Sequence, residues 1–135
     1  MIVDTSALVA ILRGEPEKEA FVDAIDASHA TLISAANFLE AAIVIDGQKD
    51  ALATREFNEF MRDAEISIEP VTVEQVKIAR EAYRDFGRGH HRARLNFGDC
   101  FAYALAKTKG EPLLYKGKDF GQTDVRPAIA HRGPH

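Results

Sequence analysis

The chain is predicted to fold as an α/β sandwich with a mainly parallel central sheet. Short apolar runs alternate along it with longer segments of helical periodicity, which is the pattern of strand–helix–strand units. Capping residues and Gly or Pro stops punctuate those segments. At 135 residues and 46% hydrophobic content, the chain suits one compact domain with a core large enough to fold unaided.

The elements follow in order. Met1 to Val3 is a short apolar strand ending at Asp4, and Thr5 to Leu12 reads as a helix closed near Gly14. Pro16 suits the first turn of a second helix, with Ala20, Phe21, Ala24 and Ile25 on its inner face. Thr31 to Ser34 forms the next strand. Ala35 to Ile45 is almost wholly apolar and reads as a buried helix ending before Gly47; an amphipathic helix then runs from about Asp50 to Ala64 with Leu52, Phe57, Phe60 and Met61 inward. Ile66 to Val71 alternates as a strand, and Thr72 with Gln75 forms a capping-box pattern that opens a helix to about Phe86. After a basic connection from Gly87 to Leu95, Asn96 caps a helix over Phe97 to Lys109, which Gly110 and Pro112 stop. Pro112 to Tyr115 is the last apolar strand. The domain is expected over residues 1–125, with 126–135 as a flexible C-terminal tail.

Cys100 is the sole cysteine, so intrachain disulfides and cysteine-rich zinc sites are excluded. The apolar start is interrupted by Asp4, Thr5 and Ser6 and has no basic leader, so neither a signal peptide nor a spanning helix is expected, and a cytoplasmic location is. The formal net charge of −4 conceals an asymmetry: residues 1–75 carry 5 basic and 15 acidic side chains, residues 76–135 carry 12 basic and 6 acidic. The second half can therefore present a positive face to phosphates.

Four acids stand out. Asp4 is the only charged residue between Met1 and Leu12 and sits where a strand meets a helix, a position that either a helix cap or a chemical role explains. Glu40 is alone among Phe38, Leu39, Ala41, Ala42 and Ile43; burial there requires a cation, a metal, hydrogen bonds or protonation. Asp99 lies in the first turn of the helix capped by Asn96, where the helix dipole favours it, yet its neighbours look like core. Asp119 follows the last strand, beside Phe120 as a loop anchor, with Asp124 as a competing fourth acid and an ordinary turn as the alternative. Separated carboxylates of this kind suit Mg²⁺ or Mn²⁺, hard cations that take oxygen ligands and activate water for attack on phosphorus.

With these residues in view, the chain resembles the PIN-domain family, and within it the VapC-type ribonuclease toxins of bacterial toxin–antitoxin systems. The resemblance spans nearly the whole chain and rests on Met1-Ile2-Val3-Asp4-Thr5-Ser6-Ala7-Leu8, the apolar helix with Glu40, Leu95-Asn96-Phe97-Gly98-Asp99-Cys100-Phe101-Ala102-Tyr103-Ala104, and Lys118-Asp119-Phe120. It implies a PIN-like α/β/α sandwich and a Mg²⁺- or Mn²⁺-dependent endoribonuclease. Asp4, Glu40, Asp99 and Asp119 would then be catalytic, Asp4 and Asp99 would be the principal metal ligands, and Ser6 would support the site. Many relatives carry an asparagine shortly before the last aspartate, where this chain has Lys116-Gly117-Lys118. The resemblance also implies a homodimer neutralised by a small cognate antitoxin.

Arg84, Arg88, Arg92 and Arg94, with His90 and His91 beside them, are the candidate RNA contacts, since the stretch from Phe86 to Gly98 is free of acids. Tyr83, Phe86 and Phe97 could offer stacking surfaces if exposed, and a solvated loop or protein-docking surface is the competing reading. Two further functions compete. A non-catalytic RNA- or protein-binding module would keep the fold without metal chemistry. An aspartyl phosphatase of the haloacid dehalogenase type would use Asp4 as nucleophile, but such enzymes usually carry another aspartate two residues on, where this chain has Ser6.

Overall fold

A computed structural model describes residues 1–130. Four strands, β1 (Ile2–Val3), β2 (Thr31–Ser34), β3 (Ile66–Glu69) and β4 (Leu113–Leu114), form one wholly parallel sheet in the order β3-β2-β1-β4. Ile2 stands in register with Leu32 on one side and Leu113 on the other, so β1 is central and paired along both edges.

Six helices cover the sheet: α1 (Thr5–Leu12), α2 (Lys18–Ala27), α3 (Ala35–Asp46), α4 (Ala51–Asp63), α5 (Val73–Phe86) and α6 (Phe97–Lys109). Successive residues of a strand point to opposite faces, and the two cores obey that alternation. Val3, Ile33 and Leu114 pack with α1 to α4, through Leu8, Ile11, Phe21, Ile25, Ile45 and Phe57. Ile2, Leu32 and Leu113 pack with α5 and α6, through Ala79, Ala82, Tyr103 and Leu105. Strands covered on both sides have no polar face, which is why these runs are continuously apolar. The expected α/β/α sandwich is thus the observed architecture.

The differences from expectation are local. Pro16 precedes α2 rather than entering its first turn, and Ala20 is exposed while Phe21 and Ile25 face inward. Leu52 is 52% exposed, so the inner face of α4 is made by Phe57 and Met61. The α3 helix is buried on one side only: Asn37, Ala41 and Ile45 face inward, whereas Leu39 and Ile43 are exposed. Hydrophobic periodicity cannot reveal a one-sided helix when both sides are apolar. At Thr72 the hydroxyl accepts the Gln75 N–H at 3.1 Å, half of the expected box, while a complete reciprocal box closes at Asn96 and Asp99.

The expected tail is held at its start. The Leu113 N–H donates to the Arg126 carbonyl at 2.9 Å and the Ala128 N–H to the Leu113 carbonyl at 2.8 Å, extending the sheet beyond β4. Residues 131–135 of that tail lie outside the described residues. Among the described residues no helix is long and apolar enough to cross a membrane.

Candidate active site

In a parallel sheet all carboxyl ends lie on one edge, where loops and helix N-termini gather. Asp4 leaves β1 there and caps α1: its Oδ2 accepts the Ser6 N–H at 3.0 Å. The residue is 2% exposed, and its Oδ1 is buried with no hydrogen-bond partner among the described residues. Ser34 at the end of β2 caps α3 through the Ala36 N–H, and that helix brings Glu40 to the same edge. Asp99 arrives on the first turn of α6, where its Oδ2 accepts the Asn96 N–H at 3.0 Å and its own N–H donates to Asn96 Oδ1 at 2.9 Å.

Three helices are locked together beneath these acids. The Thr5 hydroxyl of α1 donates to the Asn37 carbonyl of α3 at 3.1 Å, and the Asn37 side-chain amide donates to the Gly98 carbonyl of α6 at 2.9 Å. Gly98 is buried, and the Glu40 carboxylate lies directly against it: a Cβ at this position would stand 2.7 Å from Glu40 Oε1 and 2.8 Å from its Cδ. Only glycine leaves room for that approach. Asn37 and Gly98 were not singled out as site residues by sequence reasoning. The adjacency of Gly98 to Asp99 was the available signal for one, and nothing local marks the other.

Asp4, Ser6, Glu40, Asn96 and Asp99 line one cavity of about 300 Å³, together with Val9, Arg13 and Val44. Its electrostatics are those of acids forced together. Burial, opposed by hydrogen bonding from Ser6 and aided by the charges of Asp99 and Glu40, pushes the Asp4 carboxyl up to about 7. Burial also pushes Asp99 up to about 6, against the Asn96 N–H and with the charges of Asp119 and Glu40. Asp99 and Glu40 thus act on Asp4, and Asp119 and Glu40 on Asp99, although Asp119 is not part of the cavity lining.

Asp119 is exposed on the loop after β4, at the start of a short 3₁₀ turn (Phe120–Gln122), and its side chain makes no capping bond. Phe120 is buried against Tyr115, with ring centroids 5.2 Å apart, and anchors that loop. Asp124 is differently occupied: Tyr103 donates to its Oδ1 at 2.6 Å and Lys107 to its Oδ2 at 3.0 Å, and the Tyr103 hydrogen bond holds its carboxyl below the ordinary range. The Ser6 hydroxyl accepts the Lys116 N–H at 2.9 Å, tying the loop to α1. The Lys116 ammonium pairs with Glu15 and Glu17 instead of with the site acids.

The four predicted RNA-contact arginines stand apart from the acidic cavity. Arg84 is exposed near the end of α5, and Arg88, Arg92 and Arg94 are exposed on the loop that follows. That loop is braced by buried Ala93 and Leu95 and by the Arg88 N–H donating to the Leu95 carbonyl at 2.8 Å. Arg88 borders a separate, mostly apolar groove of about 560 Å³ between α5 and α6, which meets the acidic cavity at Asn96. Of the candidate stacking rings, Phe97 is 80% exposed and Tyr83 39%, whereas Phe86 is half-buried against His91 and Tyr103.

The donor set of the acidic cavity is all oxygen, and an orphaned carboxylate oxygen faces charges of its own sign. Both features fit a hard divalent cation, which supplies the missing partner and removes the repulsion. Among the described residues no three His, Cys, Asp or Glu side chains stand grouped so that they could hold a metal ion.

The chain is similar to known proteins over nearly its whole length. The PIN domain family model matches residues 1–126. The ribonuclease VapC28 of Mycobacterium tuberculosis is 51% identical over 133 residues, covering 98% of this chain and all of that one. The ribonuclease VapC of Mycolicibacterium smegmatis is 46% identical over 125 residues, covering 93% and 97%. The crystal structure of M. tuberculosis VapC20, a sarcin–ricin loop cleaving toxin, superposes with a TM-score of 0.70 at 20% identity, covering 93% of this chain and 98% of that one, and supports the fold. With the family model spanning nearly the whole domain and full-length relatives at such identity, the chain belongs to the PIN-domain family, among its VapC-type ribonuclease toxins.

Proposed function

We propose that the chain is a metal-dependent endoribonuclease that acts as the toxin of a toxin–antitoxin pair. The observation that carries this reading is the buried Asp4 Oδ1, left without a partner in a cavity shared with Glu40 and Asp99. Helix capping accounts for Asp4 Oδ2 and for one oxygen of Asp99. It accounts for neither the orphaned oxygen nor the packing of Glu40 on Gly98.

In this reading Asp4 and Asp99 hold a Mg²⁺ or Mn²⁺ ion, and Glu40 and Asp119 complete the acidic site from α3 and from the loop after β4. A divalent ion bound there supplies an acidified water and compensating charge for the phosphate. The chain's own residues prepare for it. Ser6 orients Asp4 through its N–H, Asn96 orients Asp99, and the Thr5–Asn37–Gly98 connection keeps their helices in place. Glu40 and Asp119 are the groups available to orient the attacking water or accept its proton. The exposed arginines Arg84, Arg88, Arg92 and Arg94, apart from the cavity, supply sequence-independent phosphate contacts elsewhere along the RNA strand. The family supports RNA as substrate, a small antitoxin as partner and a homodimer as the assembly.

Cleavage of total RNA by partner-free protein tests the reading. Discrete fragments should form with Mg²⁺ or Mn²⁺ and disappear with chelator or with the Asp99→Asn variant. RNA that is retained but left intact across RNA pools by folded, metal-loaded protein would favour the non-catalytic binding module.

A further inference from the structure

We infer that Arg13 is a substrate-positioning residue that takes a phosphate flanking the scissile one on the RNA strand; this rests on the nuclease reading above. Arg13 lies at the C-terminal end of α1, immediately after Leu12. Ser6, Val9 and Arg13 follow one another at helical spacing and, with Glu40 and Val44 of α3, line the acidic cavity. The predicted basic segment contributes nothing to that lining, so among the described residues Arg13 is the one cation on a wall that holds three carboxylates.

Its placement suits a flanking phosphate better than the reacting one. At about 1.5 Å of rise per residue, Arg13 is displaced by about 10 Å along α1 from Ser6. The Arg13 backbone therefore stands about two turns of α1 from Asp4, which caps the other end of that helix. Arg13 is exposed, and among the described residues it forms no side-chain hydrogen bond or ion pair, unlike Arg55, Arg62, Lys107 and Lys116.

A cavity lined by three acids repels a polyanion. An exposed, unengaged guanidinium on its wall offers paired donors to a phosphate. The strand would thus be held at one phosphate by Arg13 and presented at the next to the acids.

The test is binding of a fluorescein-labelled single-stranded oligoribonucleotide, read by anisotropy with Mg²⁺ from 50 to 200 mM salt, in the uncleaving Asp99→Asn background. One phosphate contact on a single strand contributes about 0.7 to the slope of log affinity against log salt. Adding Arg13→Gln should lower the slope by about that amount and weaken binding about threefold or more. Adding Arg13→Lys should restore the slope, because a point charge still releases a counterion. In the unsubstituted background, Arg13→Gln should raise KM with kcat unchanged. Equal slopes for parent and Arg13→Gln, or no oligoribonucleotide binding by the folded parent, would overturn the assignment. The nuclease reading fails separately, through the absence of chelator-sensitive cleavage by unsubstituted protein, since the slope is read without any cleavage.

Discussion

Asp4→Asn should stabilise the metal-free protein at pH 8 and fail to do so at pH 5. Asp4 titrates near 7 in the fold, against an ordinary value of 3.8. The folded state therefore binds the proton more tightly than the unfolded state, and this carboxyl makes stability fall as pH rises from about 4 to about 7. At about 1.4 kcal/mol per pH unit, the cost above pH 7 is about 4 kcal/mol. Asparagine removes the charge and remains a good helix cap, with its carbonyl able to accept the Ser6 N–H. Its amide then occupies the position of the orphaned Oδ1, and an unsatisfied buried donor costs about 1–3 kcal/mol. The net gain at pH 8 is about 1–3 kcal/mol; at pH 5 the cost of Asp4 is only about 2 kcal/mol, which the unsatisfied amide cancels, so the substitution brings no net stabilisation. Urea unfolding of both proteins in chelator at the two pH values measures the difference, and groups common to both proteins cancel, apart from the coupling of Asp4 with Asp99. A stability difference that does not change between pH 5 and pH 8 would falsify the assignment of Asp4 as a destabilising buried carboxylate. Adding Mg²⁺ at pH 8 should raise the midpoint of the parent, by about 2.7 kcal/mol at a hundredfold excess over Kd, and leave that of the variant nearly unmoved.

Gly98→Ala should displace the Glu40 carboxylate, because the new methyl meets the far end of that side chain. Stability measured by thermal melting should change by only about 1 kcal/mol, since Glu40 can swing and alanine favours the helix, while RNA cleavage falls sharply. Asp119→Asn should abolish cleavage at little cost in stability. Asp124→Asn should do the reverse, losing about 1 kcal/mol with the charged contacts to Tyr103 and Lys107 and retaining cleavage; the two melting curves and activities together identify the fourth acid. Asn37→Ala should lower the unfolding free energy by about 1–3 kcal/mol by leaving the buried Gly98 carbonyl without its amide donor, a loss that a urea titration resolves.

The alternation of elements was legible because each signal is local. Asp4, Ser34, Asn96 and Gly110 act on backbone groups within a few residues of themselves, so the helix boundaries follow from short-range chemistry. The three isolated acids were legible for the opposite reason: a carboxylate among apolar neighbours conflicts with its surroundings wherever the chain goes. The sequence by itself thus determined the fold class, the principal acids and the resemblance to a nuclease family. The one-sided burial of α3, with Leu39 and Ile43 outward, was not visible in a helix apolar all round. The sheet order depends on which strands meet, and β1 reaches β4 across more than a hundred residues of intervening chain. Likewise, Asn37 meets Gly98 only because α3 and α6 cross the same edge of the sheet. Tertiary structure alone decided that Glu40 rests on Gly98, that Asp124 is engaged by Tyr103 and Lys107 while the Asp119 side chain makes no capping bond, and that Arg13 borders the cavity. Each is a contact between side chains remote in sequence, and its energy exists only once the strands and helices have packed.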